Sequence, residues 1–174
     1  DFTKKINSDL VGKLINLASR CSTFIEKNSD LKLSEKLDDE EQFQVFLNDI
    51  EEIESLYEKR KYSNAVTKIM LMTDKANQYI NEKKPWALKD SKTIQEVSTQ
   101  GLNYFRTLVI LLSPVMPNLL EKTEALLDEK DLKWSDSKKP LLNKKINKFT
   151  PLKSRVLDVD IQKLKAELST EEIT

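Results

Sequence analysis

Apolar residues recur at intervals of three and four along most of this chain, which is the spacing of one face of an α-helix. Five segments with this spacing are predicted as helices, with approximate bounds 3–26, 39–61, 63–84, 93–112 and 118–127. No segment shows the alternation expected of a strand. The pattern therefore predicts an all-α fold, an antiparallel helical bundle of about five helices.

The regular spacing ends after Asp128. Apolar residues are then irregularly placed, and Pro140 and Pro151 interrupt the segment. We expect an extended C-terminal strap across the bundle at 128–156 and a short final helix within 157–174. At 174 residues the chain is expected to form one domain, with its bundle at 1–127. Because its first residue is Asp rather than Met, it is expected to be a piece of a longer protein.

The composition excludes several classes of site within this chain. There is no histidine, and the single cysteine, Cys21, falls on an apolar helix face. A disulfide framework, a zinc site and histidine-based acid–base catalysis are therefore not expected here. No signal peptide and no 18-residue apolar run is present, which predicts a cytoplasmic protein with no membrane partner.

Charge is balanced overall but unevenly distributed. Lys plus Arg and Asp plus Glu both total 29, so binding to a nucleic acid would depend on a local patch. Eight acidic and no basic residues occur between Asp38 and Glu54, whereas Lys130 to Arg155 carries a net charge of +7. These segments are either solvated faces or a means of orienting a polyanion on one side of the domain.

Trp86 stands at an unusual position for a tryptophan. It follows Pro85, which closes the third predicted helix, and it precedes the polar run 87–92. A rigid ring at a polar helix–loop corner can stack on an unpaired nucleobase. The alternative is a ring that folds back and covers the end of the helical core.

A second group of candidates lies on the first helix. Lys13, Asn16 and Arg20 form a polar cluster away from the centre of its apolar face. Asn16 and Arg20 are one turn apart, and their amide and guanidinium groups suit the edge of a base. A solvated helix face is the alternative. Arg106 either holds helices together or contacts phosphate, and Trp134 is interpreted as a core anchor.

Several segments, in order, resemble the anticodon-binding domain of methionyl-tRNA synthetase, a class I aminoacyl-tRNA synthetase. The resemblance covers about residues 1–156 and rests on NSDLVGKLINLASR (7–20), AVTKIM (65–70), DKANQYI (74–80), KPW (84–86), LNYFRTL (102–108), LSPVMP (112–117), LKW (132–134), PLL (140–142) and KINKF (145–149).

The resemblance implies a function and a set of site residues. It implies that the chain binds methionine tRNA at the anticodon loop and reads the CAU anticodon. By this resemblance Trp86 stacks on the first anticodon base, Pro85 positions the ring, and Asn16 and Arg20 hydrogen-bond to bases. Possible phosphate contacts are Lys13, Lys83 and Lys84.

The resemblance also implies what lies elsewhere. The family's catalytic domain carries a HIGH-type signature and a KMSKS-type loop, and neither occurs in this sequence. The chain is thus expected to need no cofactor itself, while the parent enzyme uses ATP and Mg²⁺, with Zn²⁺ as a further candidate. That catalytic domain is an expected partner, and DNA is not. Asn81 departs from the pattern, since some members carry an acid there.

Two alternatives remain at this point. The first is the corresponding domain of a related class I synthetase, for isoleucine or valine, although the Pro85-Trp86 placement argues against it. The second is a helical protein–protein adaptor in which Trp86 would be an interface anchor.

Overall fold

The computed structural model describes the backbone of residues 6–150 and the side chains of residues 9–150. The α-helices of this part are α1 (Gly12–Ser29), α2 (Glu40–Leu47), α3 (Ile50–Glu58), α4 (Tyr62–Lys83), α5 (Ser91–Leu112) and α6 (Pro117–Leu127). A π-helical turn at Ile6–Val11 leads into α1, and 3₁₀ turns follow α4 at Pro85–Ala87 and α6 at Trp134–Lys138. The all-α prediction is confirmed for these residues, which contain one isolated antiparallel bridge and no longer strand.

Helix α5 is the centre of the bundle. Every residue from Val97 to Leu112 is buried, as expected for a helix that is surrounded on all sides. Its glycine, Gly101, lies so close to Cys21 of α1 and Ile80 of α4 that a Cβ atom there would meet both side chains. The two outer helices therefore approach α5 at the same level.

Helices α1 and α4 run parallel to each other. Lys13 pairs with Asp74, and seven residues further along both helices Arg20 bonds to Asn81. Helix α5 runs antiparallel to α1, since Gln95 and Thr99 bond to residues 32 and 34 just beyond the end of α1. The ends of α1 and α4 and the start of α5 consequently lie at one end of the bundle.

The predicted strap is present as far as it is described. Polar side chains of α5 hold it: Arg106 forms an ion pair with Glu129 at 2.7 Å and also donates to two carbonyl groups of the strap. Asn103 both donates to and accepts from the backbone of Leu141, at 3.0 and 2.7 Å. Arg106 thus holds the strap on the bundle. Trp134 packs on the core with its ring edge-to-face against Tyr57.

Some predicted element bounds were wrong. The segment 39–61 forms two helices, because the chain turns at Asn48 and Asp49, and such residues favour turns over helix interiors. Helix α4 begins at Tyr62, one residue before the predicted start, and has no side-chain cap. The predicted final helix and residues 151–156 of the strap lie outside the described residues. None of the described helices has the length and apolar character needed to cross a membrane.

Candidate nucleic-acid interface

Trp86 is held by a tightly bonded helix end. Helix α4 stops at Lys83, and Lys84 adopts a left-handed conformation with φ 50°, donating its N–H to the carbonyl of Ile80 at 2.9 Å. Pro85 is buried and begins the 3₁₀ turn that carries Trp86. The amide of Ala87 closes this turn on the carbonyl of Lys84, also at 2.9 Å. The backbone under the ring is therefore fixed on both sides.

The ring itself faces solvent. Trp86 is 50% exposed, one of three large hydrophobic residues in the described part that are so open. A ring that covered the core end would be buried, so the structure contradicts that alternative. Half of the residue's surface remains available to a planar partner.

Arg20 joins Trp86 to the neighbouring helices. Its guanidinium carbon lies 5.1 Å from the centroid of the Trp86 ring, within the range of a cation–π contact. Its Nη2 atom donates to Oδ1 of Asn81 at 3.2 Å. Arg20 and Trp86, which are 66 positions apart in sequence, are thereby assembled into one site.

Asn16 extends this site along α1. It is exposed one turn before Arg20 and makes no side-chain hydrogen bond with another described residue. Its amide therefore keeps both donor and acceptor positions open, which is what recognition of a base edge requires. The structure brings Asn16, Arg20 and Trp86 to one surface, as their proposed joint role needs.

The three lysines predicted to contact phosphate differ in their surroundings. Lys13 is ion-paired with the exposed Asp74. Lys83 lies 3.1 Å from Asp38 and 5.9 Å from the ring centroid of Tyr79, so it faces back towards the protein. Lys84 is exposed and forms no ion pair with a described residue. Among these three, Lys84 is the cation best placed to receive an anion.

Burial behind the site favours the neutral forms of the Cys21 thiol and the Tyr79 hydroxyl. Burial raises the pKa of the Cys21 thiol to about 12, and the neighbouring charge of Arg20 lowers it only in part. Burial, and then the charge of Asp38, raise the pKa of Tyr79. Within residues 9–150, no group of three or more His, Cys, Asp or Glu is arranged to hold a metal ion. This surface is equipped to stack and to hydrogen-bond.

Comparison with known proteins identifies the family. The family model described as the anticodon-binding domain of tRNA ligase matches residues 39–169, three-quarters of the chain. The chain belongs to this family. A surface that combines a half-exposed tryptophan with arginine and asparagine is consistent with a domain of the anticodon-binding family.

Relatives of this anticodon-binding domain include whole tRNA ligases. The chain is 45% identical over 168 residues to the methionine–tRNA ligases of three strains of Buchnera aphidicola subsp. Acyrthosiphon pisum (Tuc7, 5A and APS). The aligned region covers 94% of the chain but 30% of each relative, so the chain spans about a third of their length.

Two solved structures have the same fold. The apo form of Mycobacterium tuberculosis methionyl-tRNA synthetase matches 87% of this chain and 32% of its own, with a TM-score of 0.70 and 21% identity. The complex of that enzyme with methionyl-adenylate matches 86% and 31%, with a TM-score of 0.64 and 22% identity. At this level of identity the likeness concerns the fold alone.

Two contacts of the site were missed by sequence reasoning. The contact of Asn81 with Arg20 was not predicted, and neither was the ion pair of Asp38 with Lys83. A signal for the first existed: polar residues recur seven apart on both helices, at Lys13 and Arg20 and at Asp74 and Asn81. Nothing in the sequence relates Asp38 to the end of α4.

Proposed function

We propose that this chain reads the CAU anticodon of methionine tRNA for a methionine–tRNA ligase. The observation that carries the proposal is the exposed Trp86 ring, fixed next to Arg20 and Asn16, in a chain similar along 94% of its length to such ligases. Single-stranded RNA loops are recognised by stacking on aromatic rings and by hydrogen bonds to base edges. This surface offers both.

Each residue has a distinct role in this proposal. Trp86 stacks on the first anticodon base, and the buried Pro85 fixes the direction of the ring. Asn16 and Arg20 hydrogen-bond to base edges, with Asn81 holding the guanidinium in place. Because Asn81 is uncharged, it can orient Arg20 without neutralising it.

Catalysis belongs to the parent enzyme in this proposal. The HIGH-type and KMSKS-type signatures do not occur in these 174 residues, which correspond to about a third of each ligase relative. Joining methionine to tRNA with ATP and Mg²⁺ would therefore take place in the rest of the enzyme, in the cytoplasm. Residues 1–174 act as one tRNA-binding unit that presents the tRNA to that part.

The test is a titration of the chain with a labelled anticodon stem-loop carrying CAU, followed by fluorescence anisotropy at low salt. A second hairpin differs in the first anticodon base. We expect tighter binding of the CAU hairpin, and Trp86→Ala should weaken it by about 1–3 kcal/mol, or roughly 5- to 150-fold in Kd. Trp86→Phe, which keeps a ring, should lose less.

The matched control is Leu71→Ala. Leu71 is another large apolar side chain of similar exposure, 55%, in the first half of α4. It should leave the affinity for both hairpins unchanged. Equal binding of both hairpins, with no effect of Trp86→Ala, would overturn the proposal and favour the adaptor alternative. Absence of binding to either hairpin would overturn it too.

A further inference from the structure

A cleft beyond the end of α1 has no assigned role. It lies between the loop that follows α1 and the first turns of α5, with a volume of about 570 Å³. Lys32, Lys36, Lys92 and Asn143 contribute to its lining. Since α1 ends and α5 begins at this end of the bundle, the cleft and Trp86 occupy the same end.

The charges around the cleft are not all available to a ligand. Lys36 lies 3.9 Å from Glu96, which is also in the lining. Glu35 is exposed at the rim and opposes an anion. Lys32 and Lys92, in contrast, are exposed and form no ion pair with a described residue. Two lysines of the lining are thus exposed and free of ion pairs with described residues.

The carboxylate of Asp90, two residues before Lys92, is already hydrogen-bonded within the protein. Its carboxylate accepts from both the backbone N–H and the hydroxyl group of Thr93, at 3.2 and 2.5 Å, and so caps α5. These bonds lower the pKa of Asp90. The Asn143 side chain makes no hydrogen bond with a described residue and adds an uncharged donor to the lining.

We propose that this cleft binds a phosphodiester group of the same RNA strand whose base stacks on Trp86, with Lys92 and Lys32 as its cations. Lys92 is six positions after Trp86 in the sequence, so their Cα atoms are no more than about 22 Å apart. A strand leaving the ring can cover that distance within a few nucleotides. Lys89, which lies between Trp86 and Lys92 in the sequence, is exposed, and the strand is expected to pass it.

This inference rests on the proposed RNA binding, and it assigns the contacts with the RNA backbone to lysines other than Lys13 and Lys83. Lys13 and Lys83 are ion-paired within the protein, on Asp74 and Asp38. The open cations lie instead in the segment 84–92 and across the cleft at Lys32. Phosphate contacts fix the position of the strand, whereas base contacts carry the sequence preference.

The experiment measures the affinity of the CAU hairpin at a series of salt concentrations. For a single strand, log K falls with log salt by about 0.7 for each phosphate neutralised. Lys92→Ala should reduce the slope by about 0.7, and Lys32→Ala with Lys92→Ala by about 1.4, if each lysine neutralises one phosphate. Both variants should weaken the CAU hairpin and the changed hairpin by the same factor.

The matched control is Lys61→Ala. Lys61 is an exposed lysine with no ion pair to a described residue, and it precedes α4 at the far end from Trp86, about 33 Å away along the 22-residue helix. For Lys61→Ala, the slope of log K against log salt should equal that of the unmodified chain. If Lys92→Ala and Lys61→Ala gave the same slope and affinity, the phosphate cleft would be refuted. The ratio between the two hairpins tests anticodon reading separately.

Discussion

The substitution Gly101→Ala, which adds one methyl group, tests whether the packing of the bundle determines the geometry of the site. A Cβ atom at this position would lie 2.4 Å from Sγ of Cys21 and 2.9 Å from Cδ1 of Ile80. Both distances are shorter than any normal contact between non-bonded atoms. In Gly101→Ala, therefore, α1 or α4 must move away from α5, or the two side chains must leave their positions.

The expected change in stability combines two opposing effects. Inserting a methyl group into a packed core destabilises by about 1–3 kcal/mol. Alanine is a better helix former than glycine by about 1 kcal/mol, which offsets part of this. Because the contact with the sulfur is so short, we expect the upper part of the range and a net loss of about 1–2 kcal/mol. That corresponds to a Tm lower by about 2–8 °C.

The site should respond as well. Arg20 precedes Cys21, and Asn81 follows Ile80, so a movement of α1 or α4 that the other helix does not share disturbs the 3.2 Å bond between Arg20 and Asn81. Gly101→Ala should thus weaken hairpin binding as well as stability. Urea unfolding followed by circular dichroism measures the first quantity, and the anisotropy titration measures the second.

A compensating substitution separates this explanation from a general defect. Cys21→Ala removes the sulfur that the new methyl group would meet, so the double variant should be more stable than the sum of the two single changes predicts, by at least about 1 kcal/mol. Additive effects, or a Gly101→Ala protein as stable as the original, would refute the reasoning.

Two other predictions concern stability. Arg106→Leu should destabilise by about 3–5 kcal/mol, because the largely buried Glu129 carboxylate and two strap carbonyls lose their donor. Urea unfolding checks this, and an unchanged midpoint would contradict it. Stability should also fall as pH rises from about 9 to 12, since burial raises the pKa of Cys21 from 9.0 and of Tyr104 from 10.0 to about 12, and the unfolded chain loses these protons first. Unfolding curves across this range check the sign, and Cys21→Ala should flatten the first part of the fall.

Much of the helical fold could be predicted because the apolar spacing is regular. The bounds of α5 and α6 were anticipated to within two residues, since Asp90 and the Ser113–Pro117 turn interrupt the pattern visibly. The break between α2 and α3 was not, because the apolar residues keep their helical spacing across Asn48 and Asp49. A local turn at two polar residues does not change the spacing of the apolar residues.

The candidate residues could be named from the sequence, but the contacts between them could not. The position of Trp86 after Pro85 made an exposed ring one of two alternatives, and the structure shows the residue half exposed. Its contact with Arg20, and that of Arg20 with Asn81, depends on α1 and α4 running parallel at one level, which only tertiary packing determines. The ion pair of Lys83 with Asp38 could not be predicted for the same reason.

For the RNA binding proposed above, the left-handed Lys84 and the buried Pro85 have a consequence for the kinetics. The orientation of the tryptophan is determined when the protein folds, so the entropy of immobilising its backbone is already lost before RNA arrives. Association then needs no slow rearrangement on the protein side, and any slow step would belong to the RNA loop as its bases unstack.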